Sequence, residues 1–159
     1  MFWRRKEKGE DKKLADDNPV NRSAKNQIYF KVAFTGSRKS GSKTSLISKY
    51  AETSGCPAYK EVTSSWRKVI LELWDDPNKK VEDIDCIVIG FDITDRSSYN
   101  KALNSCTNLL KDNPKAVRVA IGNKSDLAAD RQVSEAEGYI LADYANGSDY
   151  FEGKQNSLI

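Results

Sequence analysis

Residues 31–47 read KVAFTGSRKSGSKTSLI. An apolar run enters a loop of Gly, Ser, Lys and Arg, and a helix-like run leaves it. This is the layout of a phosphate-binding loop, whose usual pattern is G-x-x-x-x-G-K-[ST]. Gly36 and Gly41 have the right spacing, but Ser42 then stands before Lys43 and Thr44, one residue out of register. If Lys43 keeps its register, Ser42 fills a glycine position, and a left-handed backbone there would cost roughly 1–2 kcal/mol. If Ser42 is an insertion, the loop bulges. Both weaken phosphate binding and neither abolishes it. Backbone N–H groups of such a loop and of the helix start hold phosphate oxygens. The candidate phosphate-binding residues are therefore Gly36, Gly41, Ser42, Lys43, Thr44 and Ser45, with Lys43 as a cation and the Thr44 hydroxyl as a magnesium ligand. The plainer alternative is an ordinary helix start; the two glycines and the strand before them favour phosphate.

Outward from the loop, the pattern alternates. Strands are expected over 28–35, 66–74, 84–92 and 116–122, with a short last one at 148–152. Helices are expected over 43–53, 97–111 and 135–145, the last opened by Ser134 and Glu137 at capping-box spacing. The run IDCIVIGFD, 84–92, is apolar enough to be covered on both faces. Strands alternating with helices predict a three-layer α/β fold around a mostly parallel sheet of about five strands. Ligands of such sheets bind at the carboxyl ends of the strands.

A chain of 159 residues makes one domain, set at 28–159, after a flexible basic tail at 1–27. The tail carries eight Lys and Arg against five Asp and Glu, which accounts for the whole net charge of +3, so the rest of the chain offers no nucleic-acid-binding face. Its opening MFWRRKEKG joins two aromatics to a basic cluster that could touch an anionic membrane surface. The interspersed Glu7, Glu10 and Asp11 favour a solvated, disordered tail instead. No apolar run approaches the roughly 18 residues of a membrane span. Histidine is absent, which excludes His-based catalysis and His metal sites. Cys56, Cys86 and Cys106 have no metal or disulfide spacing and fit a reducing, cytoplasmic setting.

Polar segments follow the expected strands in order: WDDPN after the second, FDITDRSSY after the third, GNKSDL after the fourth, YFEGKQN at the last. With the phosphate loop, these five segments resemble the small GTPases of the Ras superfamily, and the Rab branch most closely. LELWDDP looks like the family's W-D-T-A-G segment, CIVIGFDITDRSSYNKAL like the Rab fourth strand and next helix, VAIGNKSDL contains the guanine-reading N-K-x-D, and YFEGKQN resembles a shortened F-E-T-S-A-K. The resemblance covers roughly residues 28–156. It implies that Asn123 holds the guanine edge, that Asp126 accepts the ring N–H and the exocyclic amine, and that Lys124 and Lys154 flank the base. Adenine offers no such donor pair, so it would leave a buried carboxylate unpaired. It also implies that Lys43 meets the β and γ phosphates and that magnesium is held by Thr44, by Asp75 through water, and by Thr63 as the first-switch Thr. Taken alone, NKSD could be a polar turn and Asp75 a solvated carboxylate.

Departures from the family fall where hydrolysis needs conformity. Asp75 is followed by Asp76, Pro77 and Asn78, so the D-x-x-G glycine is missing, and Lys79 stands at the water-positioning Gln. Only residues 64–74 separate Thr63 from Asp75, so the family's antiparallel strand is expected to be absent or vestigial. The eight residues between Asp75 and Ile84 leave no room for a second-switch helix. No C-terminal helix and no prenylatable cysteine follow Lys154. A sheet face then needs other cover, from the tail, a second copy or a partner, or the chain is marginally stable. The expectation is a P-loop GTPase-like fold with reduced switch regions. It binds GTP or GDP with magnesium, hydrolyses GTP weakly or not at all, and serves signalling or vesicle trafficking through an effector or scaffold protein, in the cytoplasm or at a membrane periphery. The alternative is a pseudo-GTPase interaction module that needs no nucleotide. A P-loop kinase of small substrates is disfavoured by NKSD and by the lack of a lid.

Overall fold

Val32, Ala33 and Phe34 are consecutive apolar residues, and a strand points neighbours to opposite faces, so both faces there need cover. The computed structural model describes residues 27–36, 47–64, 67–75, 83–145 and 149–154. It puts these three residues, all buried, on strand β1 (Gln27–Gly36) in the middle of a six-stranded sheet. A strand β2 (Ala58–Ser64) pairs antiparallel with β3 (Arg67–Trp74), and β3 pairs parallel with β1. On the other side of β1 come β4 (Cys86–Asp92), β5 (Val117–Asn123) and β6 (Asp149–Gly153), all parallel. The spatial order is β2-β3-β1-β4-β5-β6. Helix α1 (Arg96–Asp112) connects β4 to β5, and α2 (Glu135–Tyr144) connects β5 to β6.

Register decides which side chains share a face. Ile87, Ile89 and Phe91 of β4 and Ala120 of β5 pack with Tyr99, Ala102 and Cys106 of α1 and with Leu141 and Ala142 of α2. Val32, Phe34, Leu73 and Val88 face the other way and are covered by Ile47, from the helical residues 47–50, and by Ala58. Farther along that second face Phe30, Val117 and Phe151 are exposed, Val117 at 65%. No helix follows β6 among the described residues.

Two expectations are corrected. The antiparallel strand is neither absent nor vestigial: it is β2, seven residues long and paired with β3 from Ala58↔Leu73 to Ser64↔Arg67. It takes its residues from both sides of Thr63, and only two residues, 65 and 66, join it to β3, so the short span suffices and the sheet has six strands. The first helix, expected to run to 53, ends at residue 50. Beyond it the Glu52 N–H donates to the Tyr59 carbonyl at 2.8 Å, and the Tyr59 N–H donates to Thr53 Oγ1 at 2.8 Å, which draws the chain back towards β2. The expected tail and second-switch region lie outside the described residues, Asp75 and residues 27 and 83 excepted.

The capping box of α2 is formed. Ser134 Oγ accepts the Glu137 N–H at 3.3 Å, and the Glu137 carboxylate accepts the Ser134 N–H at 2.9 Å. The same carboxylate is gripped by the Arg96 guanidinium, which ties the start of α2 to the start of α1. Arg96, and then the Ser134 bonds, hold the Glu137 carboxyl down from 4.5 to about 2. A carboxyl depressed in the folded state stabilises fully above its unfolded value and loses that contribution as pH falls through its folded value. The window here runs from about pH 4.5 down to about 2. Glu137→Gln is expected to flatten the loss of stability across that window, read as urea midpoints at successive pH values. Parallel curves for the two proteins would show that the cap carries no pH-dependent stability.

Candidate functional site

Five parallel strands end on one edge of the sheet, and their last residues are the polar ones. Gly36 closes β1, Asp75 follows β3, Asp92 closes β4, Asn123 closes β5, and Lys154 follows β6. Register aligns Gly36 with Gly90, Asp92 with Asn123, and Asn123 with Gly153. Gly36 has φ 133, and a Cβ built on it would lie 2.0 Å from the Gly90 carbonyl oxygen. Glycine there lets β1 end at closest approach to β4, beside the segment that the sequence marks as the expected phosphate loop.

Asn123 is 1% exposed, and its Oδ1 finds no hydrogen-bond donor among the described residues. Leaving a buried acceptor unmet costs about 1–3 kcal/mol, so this atom fits a site that a further donor completes. Lys124 follows with a left-handed backbone, φ 66, and its Nζ lies 2.6 Å from Oδ2 of Asp92. Oδ1 of Asp92 accepts the Thr94 N–H at 2.9 Å and the Thr94 hydroxyl at 2.7 Å. Burial works to raise the Asp92 carboxyl, but the Lys124 and Thr94 bonds outweigh it and hold it below the usual carboxylate range. The chain then enters a 3-10 helix (Ser125–Asp130) whose first turn presents Asp126 at the exposed edge. The Leu127 N–H closes this turn on the Lys124 carbonyl at 2.9 Å.

β6 is fastened beside this turn by charge. Arg131 donates to both oxygens of Glu152 at 2.8 Å, and the Tyr150 hydroxyl donates to Glu152 Oε1 at 2.7 Å. The Arg131 bonds hold the Glu152 carboxyl low, and burial with the Glu152 bond pushes the Tyr150 phenol up. Tyr150 in turn fills the space beside Gly138, where an added Cβ would meet its ring at 2.2 Å. The position of Lys154, one residue past β6, follows from this lock.

Of the expected site residues, Gly36, Asn123, Lys124, Asp126, Lys154 and Asp75 come together at this edge, while Gly41, Ser42, Lys43, Thr44 and Ser45 lie outside the described residues. Thr63 does not belong with them. It pairs with Lys68, which pairs with Gln27 at the start of β1. Lys68 is seven residues from Asp75, about 23 Å along an extended strand. A metal ion at the ligand edge is out of its reach, so Thr63 does not fit the expected magnesium set. Thr53 is the hydroxyl near the correct end, and it already accepts the Tyr59 N–H. Asp92 was missed: in sequence it reads as one more polar residue of FDITDRSSY, and only register brings it to Lys124.

The chain is similar to known proteins. A family model described as the Ras family matches residues 31–156. Ras-related protein Rab-3B of Rattus norvegicus is 26% identical over 171 residues, covering 92% of this chain and 76% of that protein. Ras-related protein Rab-21 of Geodia cydonium is 24% identical, covering 91% and 71%, and Ras-related protein Rab-3A of Homo sapiens is 27% identical, covering 82% and 67%. No helix among the described residues is long and apolar enough to cross a membrane.

Proposed function

The chain belongs to the Ras family, as a divergent Rab-like member, and on that premise we propose that it binds guanine nucleotides and hydrolyses GTP slowly or not at all. The observation that carries the reading is the end of β5: Asn123 buried at the ligand edge, Lys124 fixed by its ion pair, and Asp126 presented on the next turn. Asn123 and Asp126 would read the base edge, and Lys124 and Lys154 would flank its faces. Gly36, Gly41, Ser42, Lys43, Thr44 and Ser45 would hold the phosphates. Thr44 and, through water, Asp75 would hold magnesium, which would supply positive charge against the phosphates. Lys79 in place of Gln leaves the attacking water without its usual orienting group. Residues 28–159 form the nucleotide-binding unit on this reading, and an effector or scaffold protein in signalling or vesicle trafficking would be its partner. The test is chromatography of nucleotide released from purified protein, followed by competition between GTP and ATP. Released GDP or GTP and a clear preference for GTP are expected; equal competition would refute the reading.

A second reading has its own observation. Ser42, in a glycine slot or as an insertion, departs from the phosphate-loop pattern and the D-x-x-G glycine is missing, so a nucleotide-independent interaction module is the competitor. Purified protein that carries no nucleotide and has no measurable affinity would establish it.

On the guanine-binding reading, switching should be weak. A ligand shifts an equilibrium only by its differential affinity for two states, and few γ-phosphate contacts are left in this sequence. GDP and a non-hydrolysable GTP analogue are expected to bind within about tenfold, or 1.4 kcal/mol, of each other. Thr44→Asn should lower triphosphate affinity more than diphosphate affinity in magnesium, and equally in chelator. Strong protection of residues 54–83 from hydrogen exchange by the analogue alone would show a working switch.

A further inference from the structure

Lys124 is not a free cation at the ligand edge. Its ammonium is drawn back to Asp92, the last residue of β4, whose side chain is 3% exposed. The direction of that carboxylate is fixed from its other oxygen, where Thr94 donates twice, at 2.9 and 2.7 Å. Asp92 is held from its backbone as well: its N–H donates to Ser98 Oγ at 2.9 Å. Oδ2 is thus the oxygen left to face Lys124, and register sets Asp92 directly beside Asn123, the residue before Lys124. A buried carboxylate is costly without its cation, so the pairing is strongly drawn.

A lysine side chain in water samples many rotamers. Tethered at both ends, by a left-handed backbone and by an ion pair, the four-carbon stem becomes a fixed apolar strip. We propose that Asp92 is a positioning residue for guanine-nucleotide binding: by gripping the Lys124 ammonium it lays the lysine stem as a preformed wall for the base. The inference rests on the guanine-binding reading above. It adds a residue from another strand, acting through Lys124 and touching no ligand itself. Pre-organisation of this kind strengthens binding by removing the cost of ordering the side chain on association.

The test is a double-mutant cycle in GDP affinity, measured by calorimetry on nucleotide-free protein at a temperature where every variant is folded. Asp92→Asn keeps an acceptor for Thr94 but turns an amide N–H₂ towards the ammonium, and should weaken GDP about tenfold. Lys124→Met keeps an apolar stem and loses the charge. In that background Asp92→Asn should have no further effect, because the pair is already broken. An equal loss in both backgrounds, or no loss in either, overturns the proposal, since Asp92 would then act through the fold or not at all. If Asp92→Asn does not fold, Thr94→Val removes one donor to Oδ1 and should weaken GDP two- to threefold, again only when Lys124 is present. Wild-type protein that fails to prefer GDP over ADP refutes the guanine reading and this inference together. Wild-type preference with an unchanged Asp92→Asn refutes the inference alone.

Discussion

An Asp126→Asn variant is expected to exchange guanine for xanthine. On the proposed reading the Asp126 carboxylate accepts two N–H groups, one from the ring and one from the exocyclic amine. Xanthine carries a carbonyl where guanine carries that amine, and an amide side chain offers one acceptor and one donor to match. Each hydrogen bond to a charged group contributes about 1.5–3 kcal/mol, and 1.4 kcal/mol is a factor of ten. GDP affinity should therefore fall by about a hundredfold or more, while xanthosine diphosphate gains. Asp126→Ala should lose guanine affinity without the gain. Asp126 lies in the first turn of the 3-10 helix at the exposed edge, so neither change disturbs the core. Competition between the two nucleotides reads the result directly. Unchanged GDP binding by Asp126→Asn would mean that this turn does not read a base.

Gly36→Ala is expected to unfold the protein or bring it close to unfolding. The residue has φ 133, where side chains are strained, and the new Cβ would sit 2.0 Å from the Gly90 carbonyl oxygen. Relief would need a shift of backbone, and both backbones belong to the central pair β1 and β4, in register at Gly36↔Gly90. Strain and displaced packing of this kind cost about 3–5 kcal/mol, a large share of the roughly 5–15 kcal/mol that holds a domain folded. Gly90→Ala is the comparison: its Cβ would meet the Thr35 carbonyl oxygen at 3.7 Å, an ordinary contact, and should be tolerated. Melting curves followed by circular dichroism decide it. Equal melting temperatures for Gly36→Ala and wild type would show that the two strands can part at this point without cost.

Local patterns are legible in the sequence. The capping box at Ser134 and Glu137 and the NKSD segment after an apolar strand both announce themselves within a few residues. The strand β2 did not. It is an edge strand, AYKEVTS, in which Ala58 is buried while Lys60 and Glu61 are half-exposed and Val62 and Thr63 are exposed. Edge strands carry charge to discourage further pairing, so the alternation that marks a half-buried strand is blurred. Thr63 was misplaced for that reason: counted from Thr44 it falls in a loop, whereas pairing with Lys68 carries it to the far end of the sheet. The early end of the first helix was also hidden, because it depends on Glu52 and Thr53 bonding to Tyr59. The grip of Asp92 on Lys124 joins residues of different strands, and only the β4–β5 register makes them neighbours.

The place of β1 has a consequence for synthesis. It is the first of the described strands to be made, yet it stands between β3 and β4, which are made later. Translation at about 5–20 residues per second puts roughly 3–11 s between the emergence of Gly36 and that of Asp92. Through that interval Phe34 and its neighbours have no parallel partner on the β4 side. The β2–β3 hairpin, whose contacts are local, can form meanwhile and wait for them. The nascent chain thus carries an apolar segment with one edge unpaired for several seconds, long enough for a chaperone that recognises extended hydrophobic stretches to reach it first.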